Sequence, residues 1–495
     1  MRTILLFFIL LIPFASYSQD GYGNQWIFGR FNDTQPSGTI LNFNGDTLKI
    51  VPIDKPMELE GSCAIMCDSI GKLLFYSNGC YIANATHQMM VNGDSIGLGL
   101  LQTSFCNTGG NPIPQGMIAL PKPGNNHLYY LFYTDISTPY EGQPFFPLAP
   151  VTLYCSVINM TLDNGLGAVV EKNKIILQDT FSRGLIQAER HANNKDWWII
   201  MPKSHSNCYW TFRFTENGID TVFKQCIGQI WGDDDSAGQS VFSPNSNQYA
   251  RMNYSYGLSI FEFDRNTGIY FDPQIIDFEQ DSFYEGGVEF SSNSRFLYAS
   301  CFTKLWQFDT WASDIATSRI MIGELNTPPN ISNKTRFNQA RLASDGKIYI
   351  SGTGPHKYLH VINRPNCLGL GCDLQQYSIE LAAENSYTMP NMPHYKHWNE
   401  TDTCETVSVK TPINLKPPLV RIQPNPAIAA AALNVPDGRQ GDIQIVNTLG
   451  QVVSMQKITS PQTNLNLSTV PIGTYFVNIV YSDGQRESIK LIITR

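Results

Sequence analysis

The chain has 495 residues, too many for one ordinary core, so two or more domains or one large repeat architecture are expected. Only 15% of the residues are charged and 42% are hydrophobic, with 23 Tyr, 27 Phe and 8 Trp, which is the make-up of an ordered, sheet-rich protein. The formal charge is −8 and no basic run occurs, which argues against nucleic acid as a partner.

Residues 1–18 carry Arg2, an apolar run from Ile4 to Ile12, then Pro13 and the small residues Ser16 and Ser18. This is the pattern of an export signal peptide, and the run is shorter than the roughly 20 residues that span a bilayer. No later segment is long and apolar enough to span, so the mature chain is expected to have no membrane span. Export permits disulfides, and eleven cysteines leave at least one unpaired. Their connectivity cannot be read from spacing, but Cys367 and Cys372 in "CLGLGC" make the best local pair, because two glycines let the chain fold back. Zinc is the competing reading there, and it lacks a second ligand pair.

From residue 20 to residue 398 one pattern recurs at a period of about fifty residues, a polar turn followed by an aromatic-bearing strand. It reads "CDSIGKLLFYSNG", "PKPGNNHLYYLFY", "RHANNKDWWIIMP", "FSPNSNQYARMNY", "FSSNSRFLYASCF" and "LASDGKIYISGTG", with Gly71, Asn125, Asn194, Ser246, Ser294 and Gly346 as equivalent turn residues. A second alternating strand follows most of these, as in "YWTFRFTENG" and "LSIFEFDRNTG". Such a unit has two apolar faces and nothing of its own to cover them. Stacking units around an axis buries both, so the expected fold is all-β: a β-propeller with seven blades. The seventh is expected to combine "NQWIFGRF" at the start with "SYTMPNMPHYKHW" at the end, which removes two sheet edges. An eight-unit ring or an open array of sandwiches is the alternative.

Residues 399–422 read as a linker without bulky aromatics. In 423–495, Tyr475, Val477, Ile479 and Tyr481 alternate with Phe476, Asn478 and Val480, and Leu449-Gly450 and Asp483-Gly484 mark reversals, which predicts a small immunoglobulin-like β-sandwich. The order Pro424-Asn425-Pro426, "NTLGQVV" with Gly450, "LSTVPIGTYFVNI" with Gly473 and Tyr475, and a terminal "KLIITR" resembles the type A C-terminal sorting domain of the Bacteroidetes type IX secretion system. That resemblance implies recognition by the outer-membrane translocon, then removal with release or attachment to surface lipopolysaccharide. An accessory sandwich such as a carbohydrate-binding module is the alternative. The front part resembles uncharacterised secreted propellers of the same bacteria, from which no activity carries over. It departs from them in Cys63 and Cys67, and in Ser246 and Ser294 where glycine would be usual.

Local chemistry is sparse. "GDSIG" fits the GxSxG pattern around Ser95, but no helix follows to form a nucleophile elbow, so a loop is expected. Asp233, Asp234 and Asp235 are adjacent and lack the alternate spacing of a calcium loop. Glu189 and His191 could share a strand face as an acid–base pair, or His191 could cap the turn before Trp197. His394 and His397 lack a third ligand and read as packing near the ring closure. Trp197, Trp198, Trp210, Trp231, Trp306 and Trp311 could stack on sugars, but their strand patterns assign most of them to blade packing. No metal, cofactor or catalytic residue is therefore assigned. The expected function is an exported surface or released binding or adhesion protein for an unknown glycan or protein. A lactonase-like or glycan-cleaving enzyme with its site in the central channel is the alternative.

Overall fold

The recurring turn and aromatic strand build one repeating object, an antiparallel sheet whose strands lie side by side in chain order. In the computed structural model of the chain, the described residues are 20–494, apart from 31–34, 46, 139–148, 233–237, 254, 278–285, 329–330, 332–334, 388, 397, 399–403, 405–419, 436–438, 448–450 and 483–485. Two compact units divide between Glu405 and Thr406. The signal peptide, most of the linker, Asp233 to Asp235, His397, Gly450 and Asp483-Gly484 fall outside the described residues.

The first unit holds seven sheets, at 25–53, 64–84, 117–178, 187–226, 239–276, 288–324 and 340–385, here blades 1 to 7. Blades 1 and 2 have three described strands and the others four. The first strands of neighbouring sheets approach one another. This is a seven-bladed β-propeller with each blade's first strand nearest the axis. The "YWTFRFTENG" class of segment supplies third strands, such as Cys208–Thr215 and Gly257–Asp264.

The turn between first and second strand is left-handed in six blades, with φ of 86° at Gly71, 72° at Gly124, 55° at Asn194, 66° at Ser246, 62° at Ser294 and 83° at Gly346. Asn125 N donates to Lys122 O just as Gly71, Asn194, Ser246, Ser294 and Gly346 close their turns, so Asn125 holds the equivalent position, and in blade 3 the left-handed residue is Gly124 before it. The two serines that stand in for glycine are held by hydrogen bonds between blades. Ser246 Oγ donates to Glu189 Oε1 of blade 4 at 2.8 Å, and Ser294 Oγ accepts from Asn245 N of blade 5 at 3.0 Å. A left-handed backbone costs an L-residue roughly 1–2 kcal/mol, and these bonds offset it.

Ring closure differs from the expectation. "NQWIFGRF" supplies Gln25–Phe28, the first strand of an uninterrupted blade 1, and "SYTMPNMPHYKHW" forms no strand among its described residues. Pro390 and Pro393 cannot donate to a ladder, which keeps that segment out of a sheet. Instead the last strand of blade 7, Leu374–Asn385, lies along blade 1. Arg30 N donates to Glu384 O at 2.8 Å, and Ala383 N to Thr39 Oγ1 at 3.1 Å.

Disulfides join Cys80–Cys106, Cys208–Cys226 and Cys367–Cys404. The expected Cys367–Cys372 bridge is corrected by the last of these. A 3-10 turn at Gly369–Cys372 carries Cys372 into the blade core beside Tyr298, away from Cys367.

The second unit is a sandwich of a three-stranded sheet (Arg421–Gln423, Ala430–Asn434, Gln462–Asn466) and a four-stranded one (Val452–Lys457, Gly441–Asn447, Gly473–Tyr481, Arg486–Ile493). Its core takes Leu433, Ile443, Leu465, Val477, Ile479 and Leu491 from facing strands. The expected alternation holds: Tyr475, Val477, Ile479 and Tyr481 are buried, while Phe476 is 40% exposed.

Candidate functional site

A propeller gathers one strand from every blade around its axis, so the axis is the first place to look for converging side chains. Here residues 389–396 occupy it. Asn391 sits where the first strands of the blades begin: its Nδ2 donates to Met117 O of blade 3 and Ile186 O beside blade 4, at 3.0 and 2.8 Å. Its Oδ1 accepts from Gln115 Nε2 and Gln187 Nε2 at 3.2 and 2.9 Å, and its N donates to Cys63 O. Further along, Tyr395 Oη donates to Ala119 O at 3.1 Å, and Lys396 Nζ donates to Ser344 O at the opposite mouth. Met389, Met392 and Tyr395 are buried.

Two more amides bridge the axis. Gln115 joins Ser240 of blade 5 through both its oxygen and its nitrogen, and Gln239 joins blades 6 and 7 through Val288 N, Ala340 N and Ala340 O. Gln187, Gln239 and Gln339 all stand at the same offset before their turn residues Asn194, Ser246 and Gly346. That recurrence was visible in the sequence and would have marked the axis. In blade 6 the place is taken by Gly287, where a Cβ would come within 2.8 Å of Gln239 Oε1 and 2.3 Å of Asn338 O.

Buried charge also gathers here. Glu289 Oε1 lies 3.2 Å from His394 Nε2, and Glu289 Oε2 lies 3.7 Å from Arg341 Nη1, all three side chains at most 5% exposed. Burial pulls His394 below its usual range, against the attraction of Glu289. Arg341 Nη2 also donates to Met392 O, so the cluster holds the axial segment in place. The cluster thus braces the axial segment against blades 6 and 7.

The other sequence candidates separate. Glu189 and His191 do not form a pair. His191 Nδ1 accepts from Asn193 N at 3.0 Å and so caps the turn, while Glu189 Oε1 accepts from Ser246 Oγ and from Arg190 N. Burial pushes the Glu189 carboxyl up to about 7, against those bonds. Ser95 lies in an exposed loop with φ 51°, its Oγ donating to Asp94 Oδ2. Trp197, Trp198 and Trp231 are buried between or within blades, and Trp311, 57% exposed, is the outward one. Among the described residues no group of three His, Cys, Asp or Glu could hold a metal ion.

A cleft of about 540 Å³ opens between blades 3 and 4, at the mouth formed by the first-to-second-strand turns. Its walls are the turn 122–126 of blade 3 and the turns 193–196 and 215–220 of blade 4, with Tyr22 at the inner end. Asp196 is buried and accepts from Arg213 Nε and Nη2 at 3.2 and 2.7 Å and from Asn193 Nδ2 at 2.8 Å. Arg190 stacks on Trp197, 3.8 Å from the ring centroid, and burial lowers its pKa. The cleft is assembled from two turns of the recurring pattern and a third, 215–220, which meet only when blades 3 and 4 stand side by side, so the pattern in the sequence did not show it.

In the second unit the Pro424-Asn425-Pro426 motif fastens the last strand. Asn425 Nδ2 donates to Lys490 O at 2.7 Å and its Oδ1 accepts from Ile492 N at 2.9 Å, while Ala427 N donates to Ile492 O. Gly473 lies opposite Ile493, and Tyr475 Oη donates to Pro471 O at 2.9 Å.

Residues 421–494 match the family described as the secretion system C-terminal sorting domain. A domain of this family marks the chain for export to the cell surface or the extracellular space. Among the described residues no helix is long and apolar enough to cross a membrane. No curated protein matches the sequence significantly. Solved structures similar to the chain include a Bacteroides fragilis protein described as a candidate 6-phosphogluconolactonase, at 11% identity and a TM-score of 0.40, covering 73% of this chain and 96% of that one. The Pseudomonas aeruginosa periplasmic gluconolactonase PpgL is similar at 8% identity and a TM-score of 0.35, covering 90% and 99%. The Cps50 β-propeller domain of Myceliophteria thermophila is similar at 9% identity and a TM-score of 0.34, covering 67% and 94%. At such scores the seven sheets themselves, not these likenesses, carry the description of the fold.

Proposed function

We propose that the propeller is the ligand-binding module of an exported protein, displayed on the cell surface or released, and that its ligand meets it at the cleft between blades 3 and 4. The observation that supports this reading is the filled axis. An enzyme of the propeller type draws single residues from several blades into a channel that substrate can reach, and here those positions are joined by Asn391, Gln115 and Gln239 and covered by protein. A hydrolase working in the central channel is therefore disfavoured. The second unit serves as the signal read by the type IX translocon, with Asn425 presenting the final strand. Attachment to surface lipopolysaccharide after processing belongs to the same reading.

Two assays of the full chain purified without residues 1–18 decide between binding and catalysis. On a panel of glycans and peptides the expected result is a defined set of bound ligands, and on a panel of lactones and glycosides no turnover above background. Turnover that survives Lys195→Gln in the cleft and is abolished by changes at the axis, with the ligand panel silent, would sink the binding reading.

A further inference from the structure

We infer that the cleft between blades 3 and 4 takes an acidic sugar, its carboxylate against the inner turns and its hydroxyls toward the outer one. The inference rests on the binding reading above and names the class of ligand. It follows from what the turns use up in folding. Asn125 Oδ1 accepts from the backbone of His127 and Leu128 at 2.8 and 3.0 Å. Asn193 Oδ1 accepts from Lys195 N and Asp196 N, and Asn194 Oδ1 accepts from Arg265 Nη2 at 2.8 Å. Asp196 is buried, and its Oδ2 is already taken by Arg213 and Asn193. Forming these turns therefore consumes the amide oxygens of Asn125, Asn193 and Asn194 and leaves the amide nitrogens of Asn125 and Asn194 over.

The donors left are the Nδ2 groups of Asn125 and Asn194 and the ammonium groups of Lys122 and Lys195, all at residues lining the cleft. A wall rich in donors and in positive charge recognises a group that only accepts and carries negative charge, which is a carboxylate. The acceptors lie elsewhere. Two exposed carboxylates stand on the third wall: Glu216, on the turn between the third and fourth strands of blade 4 and facing Gly124 of blade 3, and Asp220, in the fourth strand. Carboxylates there accept from hydroxyls and repel a second acid group. One acid end followed by hydroxyls is the pattern of a uronic acid. An acidic peptide places further carboxylates along its length, against Glu216 and Asp220, and offers no hydroxyls to them. A volume of about 540 Å³ lies within the usual range of small-ligand pockets.

The test is calorimetric titration of the full chain with three probes: digalacturonate, its neutral counterpart galactobiose, and tetraglutamate. Digalacturonate is expected to bind, with galactobiose and tetraglutamate each roughly tenfold weaker or worse, and its affinity should fall as salt rises. The double variant Lys122→Gln, Lys195→Gln changes two side chains without hydrogen-bonded ammonium partners among the described residues, so it should fold and lose roughly tenfold in affinity for digalacturonate. Lys357→Gln, on exposed surface of blade 7, should leave affinity unchanged. Equal affinity for the acidic and neutral disaccharides, tighter binding of tetraglutamate, indifference of digalacturonate to the double variant, or no binding of digalacturonate each overturns the inference. Ligands found on the wider panel that ignore the double variant would leave the binding reading standing and remove this one.

Discussion

Asn391→Ala is expected to lower the stability of the propeller by roughly 4 kcal/mol, more than any change on its surface. The substitution removes little apolar area, and its effect comes from four broken partnerships. Gln115 and Gln187 lose the oxygen their amides point at, and the carbonyls of Met117 and Ile186 lose their donor. All are buried at the axis, where an unsatisfied polar group costs roughly 1–3 kcal/mol. Partial relaxation and water entry keep the total below the simple sum. All eight tryptophans precede residue 399, so tryptophan fluorescence during urea unfolding reports the first unit alone. The midpoint should fall with the slope unchanged. A loss below about 1 kcal/mol would show that the amide network does not hold the ring together.

Glu189→Gln should stabilise the protein in alkaline solution and have little effect in acid. The native carboxyl titrates at about 7 against an ordinary value of 4.5, because burial opposes its charge. Between those values the folded chain keeps a proton that the unfolded chain releases, so the contribution of this group is full below 4.5 and is lost as pH rises through 7. The shift corresponds to about 3 kcal/mol at pH 8. Glutamine keeps the oxygen that accepts from Ser246 Oγ and Arg190 N and carries no charge to bury. Thermal or urea unfolding at pH 5 and pH 8 separates the terms: the variant should match the parent at the first and exceed it at the second. The same difference at both values would refute the burial argument.

The parts of the fold that were legible in the sequence are those whose cause is local. A left-handed turn needs glycine, asparagine or a specially held serine at one position, and a half-buried strand alternates, so Gly71, Asn194, Ser246, Ser294 and Gly346 marked their blades and Tyr475 to Tyr481 marked a sandwich strand. What failed has distant causes. Asn391 finds partners 204, 274 and 276 residues away, and no spacing rule reaches that far. The aromatic pattern of "SYTMPNMPHYKHW" therefore reads as a strand, although its two prolines oppose a central ladder. Cys372 was placed with Cys367 by proximity in sequence, and the 3-10 turn between them undid the pairing. The cleft drew on turns of two blades whose residue types are those of any polar loop.

The residues that fill the axis come after the seventh sheet in the chain, as a keystone is set after the stones of its arch. Until they arrive, the ring can close through Glu384 and Ala383 on blade 1 and through Gln115 and Gln239, but the carbonyls of Met117 and Ile186 lack their Asn391 donor. About four-fifths of the chain precedes them, so the axial bonds are among the last the propeller can make. For a chain marked for export to the cell surface or the extracellular space, the order of its sequence thereby leaves the axial bonds to the end of propeller assembly.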